Sequence, residues 1–416
     1  MQDQSNTLPL PIRVFNNCFA ILGSFGNKLI SLEPAPLMQK ASQNTGLSDY
    51  GSDYFRAPLE LLCDSLEQDA QLSALGRVMA RGEILRLLSN RLQFVDLFKQ
   101  HPQIAEQQVI APLFILGMPR TGTTSMHELV ALDPQFRVPL SWEVAYPFPP
   151  PQRETYETDP RIARVDNDLR KIDNLLPDFR NMHPMGATLP QECVALFSHD
   201  FVSMIFDVQF CLDRYQAWLI KEDMAEVFKN HRRWLQLLQW KFPAKTWVLK
   251  SPQYLWNIED MVREYPDARV IQTHRDPIKV ALSIGNLTAT LRTLGSSHVD
   301  LKKATRSYAD LLHYGTVKTM EARDKHLLGD DRIIDVQFAE FRKSPVVALR
   351  RIYDFFDLSL SSETATRMQQ FLDGGEESER HGKHSYNLDD SGLNLEEQRQ
   401  RFRPYQETFN IPSEKL

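Results

Sequence analysis

Cysteine is scarce in this sequence of 416 residues, and its four cysteines lie far apart. They are Cys18, Cys63, Cys193 and Cys211. No Cys-x-x-Cys pair occurs, which argues against both a zinc centre and a disulfide framework. We therefore expect reduced thiols, no metal site and a cytoplasmic protein.

Long apolar runs are also absent. The most hydrophobic N-terminal segment, residues 14–27, covers only 14 positions and includes three asparagines. It is therefore too short and too polar to span a bilayer. A helix here would either lie at a membrane surface or pack in the core, and of the two the sequence favours the core helix.

An excess of positive charge is missing as well. The chain has 48 lysines and arginines against 54 aspartates and glutamates, a net charge of -6, and its isoelectric point is about 6.0. Proteins that bind nucleic acid usually carry a basic face, so no nucleic-acid partner is expected. Any anionic ligand must instead meet a local basic pocket. The sequence leaves the oligomeric state open.

Strand-like and helix-like segments alternate along much of the chain. Four short apolar runs are each followed by a pattern of helical spacing, an order that is typical of an α/β fold with a buried parallel sheet. The runs cover residues 109–117, 246–252, 268–277 and 332–338.

Helical patterns flank this predicted core. Ile84, Leu88 and Leu92 recur at helical spacing within residues 59–100, which predicts an N-terminal helical cap. The chain then divides into that cap, an α/β core with a largely helical insertion suited to acceptor binding, and a polar C-terminal tail. The boundaries are 1–105 for the cap, 106–360 for the core, about 144–245 for the insertion and 361–416 for the tail.

The first strand-like run leads into the sequence GMPRTGTT, which begins at Gly117. A glycine-rich turn between a buried strand and a helix presents backbone N–H groups to an anion, and the helix dipole reinforces them. Gly117 and Gly122 have Walker A spacing, but Thr123 stands in place of the lysine, and the cation is Arg120. A nucleotide kinase or hydrolase, which remains an alternative, would lack its phosphate-binding lysine.

GMPRTGTT resembles the 5′-phosphosulfate loop of sulfotransferases that use 3′-phosphoadenosine 5′-phosphosulfate (PAPS), and its arginine resembles that of the tyrosylprotein branch. These enzymes also carry an arginine at a strand end and a serine eight residues later, which together hold the 3′-phosphate. The segment HRDPIKVALS supplies both, as Arg275 and Ser283. The segments TGLSDYGSDYFRAPLE and HSYNLDDSGLNLEE resemble a bacterial branch of the family.

The resemblance implies a P-loop-like parallel sheet flanked by helices. It also implies transfer of a sulfuryl group from PAPS to a hydroxyl, which leaves 3′-phosphoadenosine 5′-phosphate (PAP). The implied ligands of the 5′-phosphosulfate are Arg120, Thr121, Gly122, Thr123 and Thr124.

Basic residues elsewhere are implied to complete this site. Lys250, in LKSP, resembles the lysine of the tyrosylprotein branch that contacts the transferring sulfuryl group. Together with Arg120 it would stabilise charge on the leaving oxygen. In the tail, Lys383 and His384 are candidates for closing over the nucleotide.

The catalytic base has three candidates. Glu143 resembles the catalytic glutamate of the tyrosylprotein branch, whereas His183 and Glu192 lie in the predicted insertion and are alternatives. His127 is expected to be packed rather than catalytic. His274 is expected to point away from the site, because side chains alternate along a strand.

The acceptor is expected to be a hydroxyl-bearing small molecule. Trp142, Tyr146 and Phe148 indicate an apolar or flat partner. A protein that binds PAP without catalysis is the remaining alternative.

Overall fold

A parallel sheet lies at the centre of the computed structural model, which describes residues 8–177, 179–374 and 388–416. Its strand order is β2-β3-β1-β4-β5, and every neighbouring pair is parallel. The predicted α/β class is therefore confirmed. The strands are β1 (Leu113–Gly117), β2 (Phe136–Arg137), β3 (Thr246–Lys250), β4 (Arg269–His274) and β5 (Ile333–Gln337).

Strands β1 and β2 differ most from the sequence-based expectation, whereas β3, β4 and β5 are only shorter than the predicted runs. Strand β1 begins at Leu113 rather than at residue 109, because Ala111 takes a positive φ of 42° that interrupts the extended backbone. Strand β2 was not predicted, since a two-residue strand shows no periodicity.

Both faces of the sheet are covered by apolar side chains. Along β1, Leu113 and Ile115 belong to one cluster, whereas Phe114 and Leu116 belong to the other. This alternation follows from the two-residue period of a strand. It explains why the strand reads as a continuous apolar run rather than as an alternating pattern.

Within the described residues, four α-helices precede the sheet, and the last of them carries the predicted apolar face. Ile84, Leu88 and Leu92 are fully buried, and Ser73 caps the start of this helix by accepting a hydrogen bond from the Gly76 backbone N–H. The four are α1 (Leu10–Leu29), α2 (Pro34–Thr45), α3 (Arg56–Gln68) and α4 (Ala74–Gln100).

Helix α1 departs from the predicted burial. One side packs on the protein through Ile12 and through Asn16, whose Oδ1 accepts a hydrogen bond from the Leu75 N–H at 3.0 Å. The other side is exposed: Ile21 is 85% and Phe25 61% accessible to solvent. The expectation that residues 14–27 form a core helix is therefore wrong.

The remaining helices surround the sheet. Those following β1 are α5 (Thr123–Ala131), α6 (Ser141–Ala145), α7 (Pro160–Leu175), α8 (Phe179–Met182), α9 (Val194–Phe197), α10 (Ile205–Gln209), α11 (Asp213–Leu219) and α12 (Ala225–Gln239). Those following β3 are α13 (Ile258–Glu264), α14 (Pro277–Arg292), α15 (Leu301–Asp324), α16 (Phe338–Lys343), α17 (Pro345–Phe355), α18 (Ser362–Asp373), α19 (Leu388–Ser391) and α20 (Leu395–Thr408). No helix within residues 8–177, 179–374 and 388–416 has the combined length and apolar character needed to span a bilayer.

Candidate active site

The loop between β1 and α5 passes very close to β4. A Cβ at Gly117 would lie 2.1 Å from Thr273 Oγ1, so only glycine fits this approach. Thr121 Oγ1 donates to the Met118 carbonyl at 2.6 Å and also shares a hydrogen bond with Thr273 Oγ1. Gly122 has a φ of 84°, and Arg120 has a φ of 66°, which is unusual for a side-chain-bearing residue.

The second junction is the turn from β4 into α14. Asp276 caps α14 by accepting a hydrogen bond from the Ile278 N–H at 3.0 Å, and Pro277 occupies the first helical position. Arg275 therefore lies just after the carboxyl end of β4, and Ser283 lies two turns into α14. This placement is the one that the sequence predicts.

Both predicted junctions meet in one cleft. Arg120 Nε donates to Ser283 Oγ at 3.3 Å, and Arg275 Nη1 donates to the backbone carbonyl of Arg120 at 2.8 Å. Two motifs separated by about 150 residues in sequence thus contact each other directly. They do so because β1 and β4 are neighbours and their carboxyl ends meet at the same edge of the sheet.

Arg275 makes a second contact that the sequence does not reveal. Its Nε and Nη2 donate to the two carboxylate oxygens of Glu414 at 2.8 and 2.9 Å, and its guanidinium lies over the Phe338 ring at 4.2 Å from the centroid. The Glu414 N–H also donates to Asp276 at 2.7 Å. The final residues of the sequence therefore lie against the site.

Lys250 stands at the carboxyl end of β3, beside the loop. Its Nζ donates to Glu192 Oε1 at 2.5 Å and to Thr124 Oγ1 at 3.1 Å. Glu192 reaches it because the Cys193 N–H donates to the Lys250 carbonyl at 2.8 Å. Burial alone would raise the pKa of Glu192, but the charges of Lys250 and His183 outweigh it and hold that pKa below its ordinary value.

A cavity of about 2010 Å³ joins these groups. Its polar end contains Arg120, Thr124, Glu192, Lys250 and Arg275. From there the cavity extends between α4 and the helices of the insertion, where most of its lining is apolar, and it includes Tyr146, Phe148 and His183. Of the three aromatic residues predicted near the acceptor, Trp142 is fully buried and does not line the cavity.

Glu143 does not reach this cavity, and its predicted role as base is contradicted. Its carboxylate pairs with Arg137, accepts a hydrogen bond from the Leu140 N–H at 2.9 Å and accepts another from the Tyr156 hydroxyl at 2.9 Å. The residue is 0% exposed. A carboxylate held in this way stabilises the start of α6 and has no access to a substrate.

The other predicted side chains fall into two groups. His127 is buried, its Nε2 lies 3.2 Å from the Val248 carbonyl, and burial and the charge of Lys250 lower its pKa to about 3. His274 is held outside the cavity by Tyr405 and Asp335, at 2.7 and 2.9 Å. Both are packed, as expected. Lys383 and His384 lie outside the described residues.

Sequence reasoning missed several cations that line the cavity, among them Lys279 and Arg342. Lys279 and Ser283 are four residues apart in α14 and therefore share one face of that helix, and both line the cavity together with Arg275. Arg342 lies on α16, which directly follows β5. A basic residue just beyond a fourth parallel strand was a usable signal. The sequence gives no such signal for Glu414, because no motif links it to Arg275.

A sequence profile of the sulfotransferase family matches residues 112–363, which include both junctions and the strands between them. The chain belongs to the sulfotransferase family. This confirms the family that the two motifs predicted.

Solved structures of two mycobacterial sulfotransferases resemble this sulfotransferase over nearly its whole length. Sulfotransferase STF9 from Mycobacterium avium is 31% identical, with a TM-score of 0.84 over 93% of this chain and 99% of that one. Sulfotransferase STF1 from Mycobacterium tuberculosis H37Rv is 29% identical, with a TM-score of 0.78 over 89% and 98%. The resemblance to bacterial members is thereby confirmed.

A curated relative has a more specific name. Omega-hydroxy-beta-dihydromenaquinone-9 sulfotransferase Stf3 from Mycobacterium bovis is 26% identical over 271 residues, which cover 63% of this chain and 66% of the relative. The match thus spans slightly less than two thirds of the relative's length.

Proposed function

We propose that this sulfotransferase transfers a sulfuryl group from PAPS to a hydroxyl group of an apolar small molecule. One observation carries the proposal: the loop at residue 120 and the strand end at residue 275 share one cavity with Lys250. A bisphosphorylated adenosine has an anion at each end, and these two junctions offer a cationic contact for each.

The chain's own carboxylate supports the fit to such a ligand. Glu414 occupies Arg275 through two parallel hydrogen bonds, which is the bidentate geometry with which arginine also binds phosphate. Arg275 is therefore already oriented to hold an oxyanion. At the other end, the first turn of α5 has N–H groups without intrahelical acceptors beside Arg120 and Lys250.

In the proposed reaction PAPS supplies the sulfuryl group when it is bound. Arg275 and Ser283 would hold the 3′-phosphate, and Thr121, Gly122, Thr123 and Thr124 would hold the 5′ end. Arg120 and Lys250 would stabilise the negative charge that develops on the leaving oxygen, an electrostatic contribution that is usually large in such reactions.

We propose Glu192 as the proton acceptor for the attacking hydroxyl. It lines the cavity and is 21% exposed, unlike Glu143. Its largest electrostatic influence is burial, which raises its pKa, and Lys250 opposes this effect. When Lys250 shares its charge with a bound anion, the pKa of Glu192 should rise and make it a better base. His183 lines the same cavity and is the alternative.

The acceptor end of the cavity indicates the class of substrate. Beyond the polar end, the lining includes many apolar side chains, such as Leu75, Met79, Phe148 and Phe210, together with a few charged ones, such as Arg86 and Arg164. The apolar majority favours an apolar molecule carrying one hydroxyl. The relative named for a hydroxylated menaquinone derivative supports a lipid-like acceptor.

The test is transfer of radiolabelled sulfate from PAPS to a panel of hydroxylated phenols, sterols, isoprenoids and sugars. We expect transfer to apolar members and loss of most of it in Arg275→Ala, because the 3′-phosphate loses a charged partner. A PAP-binding protein without catalysis would bind PAP and transfer nothing. A kinase or hydrolase would be stabilised against heat more by ATP with magnesium than by PAP.

A further inference from the structure

Helix α1 presents an apolar face that nothing in the described part of the chain covers. The helix is kinked at Gly23. On a helical projection of the part before the kink, drawn at about 100° per residue, the exposed side chains of Val14, Phe15, Ile21 and Leu22 fall within an arc of about 120°. Seven of the twelve large apolar side chains that are exposed in the described ranges lie on α1. Such concentration in one element marks a contact surface rather than scattered surface residues.

We propose that α1 lies in the surface of an anionic phospholipid bilayer and docks the mouth of the cavity onto it. The helix contains Arg13 and Lys28 and no acidic residue, although the whole chain has a net charge of -6. A helix with one apolar face, an exposed lysine near its end and no acidic residue suits a negatively charged lipid surface.

The docking surface is continuous with the cavity. Asn16 of α1 accepts a hydrogen bond from the Leu75 N–H at the start of α4. Leu75, Val78, Met79 and Gly82 line the cavity, and their spacing places them on one face of α4. Val78 is also 45% exposed, so the cavity reaches the surface near α1.

This arrangement would let an apolar acceptor pass from the bilayer into the cavity without crossing water. That delivery rests on the proposed function, whereas the docking of α1 does not. An interfacial helix buries only one face in the lipid, which agrees with the packing of Ile12 and Asn16 on the protein side.

Vesicle flotation of the full chain tests the docking. We expect binding to vesicles of phosphatidylcholine with phosphatidylglycerol, and weaker binding to phosphatidylcholine alone. The double variant Ile21→Ser, Phe25→Ser should reduce the partition coefficient at least about tenfold, because two large side chains no longer enter the lipid. Both residues are mostly exposed, so the fold should be retained. The matched control is Val347→Ser, Phe355→Ser, which removes exposed apolar side chains from α17 and should bind as the unchanged chain does.

Several results would overturn the proposal. The first is that the unchanged chain does not float with the vesicles, and the second is that the α1 variant floats equally well. The third is a lipid-free dimer in sedimentation velocity that the α1 variant abolishes, because a second copy of the chain would then cover the apolar face. PAP-induced thermal stabilisation should be the same in all three proteins. Failure of sulfate transfer would reject the proposed function while leaving the flotation result to decide the docking.

Discussion

Lys250 and Glu192 form the ion pair on which the proposed proton transfer depends. Glu192→Gln should lower kcat by about 10²-fold or more, the usual contribution of a general base. PAP affinity should be retained or increased, because Lys250 loses a competing anion. Single-turnover transfer and calorimetric titration with PAP measure the two effects separately. Unchanged turnover in this variant, with loss in His183→Ala, would move the role of base to His183.

The pH dependence of the same residue gives a second test. Lys250 and His183 hold the pKa of Glu192 below its ordinary value of 4.5. The carboxylate is therefore the prevailing form above that pH, and activity is lost as the pH falls through the pKa. The acid limb of kcat/KM, which reports the free enzyme, should lie below pH 4.5. The acid limb of kcat should lie at a higher pH than that of kcat/KM, because the bound anion shares the charge of Lys250 and the pKa of Glu192 rises. A histidine base would instead place the limb near about pH 6.5.

Glu143 is expected to matter for stability rather than for turnover. Its carboxylate and Arg137 are both buried, so Glu143→Gln leaves a buried cation without its counter-charge. We expect a loss of about 3–5 kcal/mol in unfolding free energy, measured by urea denaturation, with kcat per folded molecule unchanged. The matched control is Glu340→Gln in an exposed pair with Arg351, where about 1 kcal/mol or less is expected.

Among the structural elements, the segment that follows α20 places a carboxylate in the proposed nucleotide site. Glu414 must leave Arg275 before a phosphate can take its place. Glu414→Gln should therefore tighten PAP binding by about two- to fivefold, since partly exposed pairs contribute about 1 kcal/mol or less. Isothermal titration measures this, with exposed Glu396→Gln on α20 as the control for the same change of charge. Weaker binding would mean that Glu414 orients Arg275.

The elements that build the site could be predicted from the sequence because their signals are local. Strands β1, β3, β4 and β5 are short apolar runs, and the turns after β3 and β4 carry the capping residues Ser251 and Asp276 before proline. The carboxyl ends of parallel strands meet at one edge, so Arg120, Lys250 and Arg275 were expected to lie together. The two-motif pattern then specified the family.

Other features depend on contacts that leave no local pattern. The apolar residues of α1 have helical spacing, which cannot distinguish a core from a membrane surface or another partner. Glu143 and Glu192 are both glutamates near predicted turns, and only the fold shows that the first pairs with Arg137 and the second with Lys250. Glu414 meets Arg275 across 139 positions, and its flanking residues carry no motif.

Across the whole molecule, the helical cap and the α/β core share one apolar cluster. Leu59 and Leu88 of the cap belong to the same buried cluster as Phe114 and Val270 of the sheet. We therefore expect one cooperative unfolding transition rather than two. Differential scanning calorimetry should give equal calorimetric and van't Hoff enthalpies in the absence of aggregation. Separate transitions for cap and core would contradict this.

A close backbone contact at Gly76 helps to join the two parts. A Cβ at Gly76 would lie 1.9 Å from the Gly295 carbonyl oxygen, and the Ser73 N–H donates to that same oxygen at 2.8 Å. Gly76→Ala should therefore destabilise the chain by about 1–3 kcal/mol. The control is Gly82→Ala in the same helix, where a Cβ meets no atom within 4 Å and helix propensity favours alanine by about 1 kcal/mol.

The left-handed backbone at Arg120 costs stability but places a guanidinium group in the site. A non-glycine residue at a φ of 66° is strained by about 1–3 kcal/mol, whereas glycine would adopt this conformation freely. The guanidinium is nevertheless held there, with Nη1 donating to the Met182 carbonyl at 2.8 Å. Engineering this protein for heat tolerance would therefore select glycine at position 120, and the more stable molecule would lack a cation on which the proposed reaction depends.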